Sequence, residues 1–112
     1  MDAKTLAAYR ARLEADLAAL DAEDALGAEA QKTVTLDQQS VGRLSRMDAL
    51  QGQAMAKATS ARRAARRQRI AATFQRMDDG EFGYCADCGE EIAPGRLALD
   101  PTAATCIGCA SG

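Results

Sequence analysis

Cys85-x-x-Cys88 and Cys106-x-x-Cys109 stand seventeen residues apart and contain every cysteine of the chain. No other feature constrains the fold as much. A C-x-x-C turn sets two sulfurs on one side of an ion, and two such turns can close a tetrahedron of thiolates at about 2.3 Å from zinc. Gly89, directly after Cys88, gives the backbone the left-handed freedom that lets amides point at the sulfurs. Ala93-Pro94-Gly95 reads as the return turn of the same module. Phe82, Tyr84, Ile92, Leu97, Leu99 and Ile107 are too few to fold this segment alone. Bound metal would supply the missing stability, about 10 kcal/mol or more for a structural zinc. Two disulfides, or one redox-active C-x-x-C, are the competing readings. A redox motif belongs at the start of a helix in a βαβ unit, and no such pattern surrounds these cysteines. Four thiolates also leave no open position for a substrate water, so the expected single Zn2+ is structural.

The rest of the 112 residues reads as helix. Leu6, Tyr9, Leu13, Leu17 and Leu20 recur at steps of three and four, the mark of one apolar stripe on a helix from about Lys4 to Leu26. Gly27 and the β-branched "KTVTLDQQSVG" that follows interrupt the pattern, so residues 28–44 read as a connecting tip. A second helix is predicted from Ser45, as N-cap with Asp48 three residues on, to about Met77. Asp37 and Ser40 are alternative caps for it. Met47, Leu50, Ala54, Ala58, Ala61 and Ala65, then Ile70, Phe74 and Met77, form its expected inner stripe. "DDG" at 78–80 stops it. With no Trp and few other aromatics, an Ala-rich chain favours closely packed thin helices over a thick core. The fold class is therefore mostly α: a long antiparallel two-helix coiled-coil hairpin over 1–79, its tip around 28–48, followed by a small four-cysteine zinc finger over 80–112. Helices of some thirty residues would make a projection on the order of 45 Å.

Charge is unevenly laid out. Residues 1–37 carry eight acids against four bases, whereas Lys57, Arg62, Arg63, Arg66, Arg67, Arg69 and Arg76 follow one another with no acid between Ala49 and Met77. Interhelical pairing and solvated faces explain part of this. Phosphate contacts would explain the remainder. The chain has no histidine and no Gly-rich phosphate loop, which argues against an enzyme. It opens on no secretory signal and has no membrane-spanning run, so a cytoplasmic protein is expected.

Phe82-Gly83-Tyr84-Cys85, Cys88-Gly89-Glu90, Ile92, Arg96-Leu97, Pro101 and Cys106-x-x-Cys109 resemble the zinc finger of the DksA/TraR family of bacterial transcription regulators. The helical pair resembles the family's coiled coil in pattern. The resemblance implies a monomer that binds RNA polymerase rather than a DNA sequence. It would insert its tip into the secondary channel and modulate initiation together with the alarmone ppGpp. The finger would be the rigid base joining the helices. Asp37-x-x-Ser40-x-Gly42 and Ser45-x-x-Asp48-x-Leu50 both depart from the D-x-x-D-x-A tip motif of active members. Asp48 with Ala49 is the first candidate for the tip contact and Asp37 the second, with Arg43 and Arg46 suited to phosphates or acidic walls. Asp48 has a structural alternative, stabilising the helix N-terminus through the dipole. Arg62 and Arg69 fall where the family holds ppGpp, and a solvated basic face is the alternative there. The chain closes three residues after Cys109, which implies a short member lacking the helix that follows the finger in longer ones. Two further readings compete: a nucleic-acid-binding zinc protein using the Arg-rich second helix, and a relative that occupies the channel without regulating.

Overall fold

The structure, a computed structural model, describes residues 1–38 and 43–111, with side chains described for 1–29 and 47–111. In chain order come α1 (Ala3–Gln38), α2 (Arg43–Asp78), α3 (Pro94–Leu99) and α4 (Ile107–Ser111), and no strand lies among the described residues. The described helices include none long and apolar enough to cross a membrane. The residues cluster into two compact units. One joins Met1–Asp16 to Gln68–Gly112, and the other is Leu17–Arg67.

Asp2 caps the start of α1: its Oδ1 accepts the backbone N–H of Thr5 at 2.7 Å and so fills an otherwise orphaned donor. Its predicted stripe is its packed face: Leu13 is fully buried, and Leu6, Tyr9, Leu17 and Leu20 are half-buried. The predicted end at Leu26 is wrong, because the helix continues through Gly27 to Gln38. A helical glycine costs only about 1 kcal/mol relative to alanine and a β-branched residue less than that. Gly27 also has a packing reason to be there. A Cβ at this position would lie 3.2 Å from the Arg63 guanidinium. α2 likewise begins at Arg43, ahead of the predicted Ser45 cap, which puts Asp48 in the second turn. The alternative cap Ser40 lies outside the described residues.

In Leu17–Arg67 the two helices are joined by charge. Asp24 accepts from Arg63 Nε on one oxygen and from Arg67 Nη2 on the other. Arg67 also reaches Asp21 at 3.0 Å and the carbonyl of Leu20 at 3.3 Å. Partners on α2 descend in number as those on α1 ascend, so the helices run antiparallel. The inner face of α2 here is Ala49, Gln53, Ala56, Thr59 and Arg63, all half-buried. The predicted stripe is turned away: Met47 and Leu50 are 57% and 60% exposed, and Ala54, Ala58, Ala61 and Ala65 are exposed as well. Counting back from Ile70 in helical steps reaches the polar set. The alanines lie on adjoining rows, where small size gave no indication of direction.

The two guanidiniums, Arg63 before Arg67, hold the Asp24 carboxyl below its ordinary value of 3.8. A depressed acid contributes stability that is present above the ordinary pKa and lost as pH falls through the folded one. The stability difference between the parent and Asp24→Asn, read by urea unfolding, should therefore hold steady above about pH 4. It should shrink toward zero below that. A difference that persists unchanged at pH 3 would mean the carboxylate is not what Asn removes.

The other unit has the apolar core. Leu13 and Ile70 are fully enclosed, Met77, Phe82, Ile92 and Leu97 nearly so. Tyr9 meets Phe82 with ring centroids 5.6 Å apart, and Arg10 lies over Phe74 while pairing with Asp78 at 2.8 Å. Arg12 Nη1 donates to the carbonyl of Ala98 at 2.6 Å. α2 ends at the predicted "DDG" in a Schellman closure, where Gly80 has φ +75°, its N–H bonds Met77 O at 3.2 Å, and the N–H of Glu81 bonds Arg76 O at 2.8 Å.

Candidate metal centre

The cysteine segment is shaped by backbone bonds around two left-handed glycines. Gly83 (φ +92°) and Gly89 (φ +77°) bracket a turn closed by Cys85 N–H to Glu90 O at 2.7 Å, Gly89 N–H to Cys85 O at 2.9 Å and Ile92 N–H to Gly83 O at 2.8 Å. The return turn predicted at Ala93-Pro94-Gly95 is not formed. Instead Ala93 is the N-cap and Pro94 opens α3, where a fixed φ and a missing N–H suit a helix start. The second cysteine pair comes in on α4, with Cys106 just before it and Cys109 inside it; the N–H of Cys109 faces Cys106 Sγ at 3.5 Å. Ala86 N–H to Ala104 O at 2.8 Å and Arg96 Nε to Thr105 O at 2.9 Å fasten the segment leading into Cys106.

These elements gather Cys85, Cys88, Cys106 and Cys109 so that their four sulfurs lie within 4.8 Å of one another, none in a disulfide. Cys88 and Cys106 Sγ are 3.8 Å apart. Four ligands at about 2.3 Å in a tetrahedron have edges of about 3.8 Å, so the donor set and its spacing fit zinc and leave no position open. A disulfide would need about 2.05 Å. Backbone N–H groups, that of Cys88 first and that of Cys106 next, pull the Cys85 thiol down to about 6. The neighbouring sulfurs, Cys106 foremost, push Cys109 well up. One thiolate is thus prepared by the fold, while a clustered neighbour resists deprotonation until a cation arrives. The protein contains one structural zinc site.

The remaining predicted residues are not gathered with it. Asp48 is exposed and Ala49 half-buried in the second turn of α2. Asp37 lies in the last turn of α1, Arg43 and Arg46 in the first turn of α2, and their side chains fall outside the described residues, as do Ser40 and Gly42. Arg62 is exposed and donates to Thr59 Oγ1 at 2.9 Å; Arg69 is exposed in the other unit. Arg63 and Arg67, two of the unbalanced cations, are spent on Asp21 and Asp24. Residues that sequence reasoning passed over are Thr73 and Arg76. Thr73 is fully buried yet satisfied, its hydroxyl donating to Arg69 O at 2.8 Å and accepting from Arg76 Nη2 at 3.1 Å.

Residues 80–112 match the family model for the prokaryotic dksA/traR C4-type zinc finger. The chain is similar to the RNA polymerase-binding transcription factor DksA of Haemophilus influenzae, 50% identical over 42 residues, which is 38% of this chain and 29% of that protein. Its counterpart in Escherichia coli K12 is 45% identical over 42 residues, 38% and 28% of the two lengths. The matched stretch is thus less than a third of these curated relatives. In fold, the chain is similar to transcription factor DksA2 from Pseudomonas aeruginosa, with a TM-score of 0.85 and 20% identity, over 98% of this chain and 83% of that one.

Proposed function

We propose that this chain is a member of the DksA/TraR family and a non-enzymatic, cytoplasmic regulator that binds RNA polymerase, reaches its secondary channel with the end of the helical pair, and modulates initiation in concert with ppGpp. The observation that carries this reading is the 45–50% identity, over 42 residues, to proteins named for binding RNA polymerase. The shared fold with DksA2 supports it, since the long antiparallel helices are part of the likeness. Asp48 is the acid proposed to act. It stands exposed in the second turn of α2, beyond the first turn where a carboxylate serves the helix dipole best. Arg62 and Arg69, each exposed, are proposed as phosphate contacts.

In a purified transcription system the protein should compete with other secondary-channel factors, and Asp48→Asn should keep polymerase affinity within about twofold while losing most of the transcriptional effect. Competition with no change in transcript levels for either form would identify an occupant of the channel rather than a regulator. A shift of naked DNA at moderate salt, with polymerase ignored, would sink the reading in favour of nucleic-acid binding.

A further inference from the structure

Arg76 is a cation in the wrong kind of place. It sits on the last turn of α2, half-buried, and its Nη2 donates to Thr73 Oγ1 at 3.1 Å and to Thr102 O at 3.3 Å. Its own carbonyl receives the N–H groups of Glu81 and Phe82 at 2.8 and 3.2 Å, so both ends of the residue are fixed. Among the described residues no carboxylate is ion-paired with it. Burial alone acts on it, lowering its pKa. Glu81 lines the same groove but makes no ion pair with it, and a half-buried guanidinium without a paired anion carries an uncompensated cost.

The groove beside Arg76 includes one of the four metal-ligating cysteines. Arg76 lines a cavity of about 290 Å³ together with Cys85, Ala86, Gly89, Gly80, Glu81 and Tyr84. Four thiolates around a divalent ion carry a net charge of −2. The segment that holds them is itself acidic: from Asp78 to the end there are seven acids and a single base, Arg96, whose Nε is committed to the carbonyl of Thr105. We infer that Arg76 is the counter-charge of the zinc–thiolate centre, a positioning residue held on α2 that stabilises the loaded site from the Cys85 side. It touches neither polymerase nor nucleotide in this role, and the inference is independent of the proposed function.

The test separates charge from hydrogen bonding. Arg76→Gln keeps donors for Thr73 and Thr102 and loses the charge; Arg76→Lys keeps the charge. Zinc affinity of the full chain, measured by competition with a chromophoric chelator, should fall about 10- to 100-fold in Arg76→Gln, the range typical of an outer-shell partner. Arg76→Lys should recover most of that loss. Cobalt-loaded Arg76→Gln should keep the absorption of a tetrahedral four-sulfur site, showing that all four ligands remain. Parent-like zinc affinity in Arg76→Gln overturns the inference. So does an Arg76→Lys as weak as Arg76→Gln, which would make guanidinium shape the cause, or a cobalt spectrum showing a lost ligand.

Discussion

Zinc removal is expected to unfold residues 80–111. Stripped by a chelator at neutral pH, the protein should lose the amide protection of the Cys85–Ile92 turn and of α3, and regain both on stoichiometric zinc. Phe82, Ile92 and Leu97 are nearly enclosed, yet within residues 80–111 two short helices and one isolated bridge between Tyr84 and Glu91 are all the secondary structure. Such a module cannot offset its own chain entropy, and metal binding of about 10 kcal/mol or more is the term that does. Cys106→Ser should act as the chelator does, because Cys106 supplies a ligand, faces the Cys109 amide and follows the Thr105 carbonyl held by Arg96. The chain has no Trp, so Tyr9 and Tyr84 fluorescence gives an independent reading, Tyr9 through its tilted ring contact with Phe82. A chelated protein whose exchange pattern matches the loaded one would show that the cysteines are not what holds this segment.

The second large effect is in the core of the same unit. Leu13→Ala and Ile70→Ala should each cost about 2–5 kcal/mol, the range for truncating an enclosed aliphatic side chain. For a domain whose whole stability is about 5–15 kcal/mol, either change takes a large share. The helix itself should not suffer, since alanine is the best helix former, so any loss reports packing. Leu26→Ala and Met55→Ala are the controls: both side chains are 72% exposed and should shift stability by about 0.5 kcal/mol or less. Equal urea midpoints for Leu13→Ala and Leu26→Ala would contradict the burial described for α1.

The parts of this molecule that could be read from sequence are those where one residue type answers to one physical demand. Thiolate spacing answers to a tetrahedron, and the four sulfurs do converge. Leucines at helical steps answer to a buried face, and Leu6 through Leu20 form it. Gly80 ends α2 because only glycine takes its φ of +75° cheaply. Reading failed where several residue types meet a demand equally well. Gly27 looks like a breaker, but in the structure it is the space an arginine needs. The alanines from 54 to 65 populate several helical rows, so size alone does not choose a face. The chosen one holds Gln53, Thr59 and Arg63, and the partner of Arg63 is Asp24, on a helix far away in sequence. Pro94-Gly95 suits a turn as well as a helix start. Arg76 has no motif at all; its partners, the Thr73 hydroxyl and the Thr102 carbonyl, are brought to it only by the fold.

The Asp24 clasp gives Leu17–Arg67 a cohesion that dissolved electrolytes can tune. Asp24 keeps about a third of its side-chain surface in water, at 32%. The reach of exposed charges contracts from about 10 Å at 0.1 M ionic strength to about 3 Å at 1 M. Osmotic stress that concentrates ions would therefore slacken this clasp and the exposed Arg10–Asp78 pair, while the enclosed packing of Leu13 and Ile70 does not depend on them.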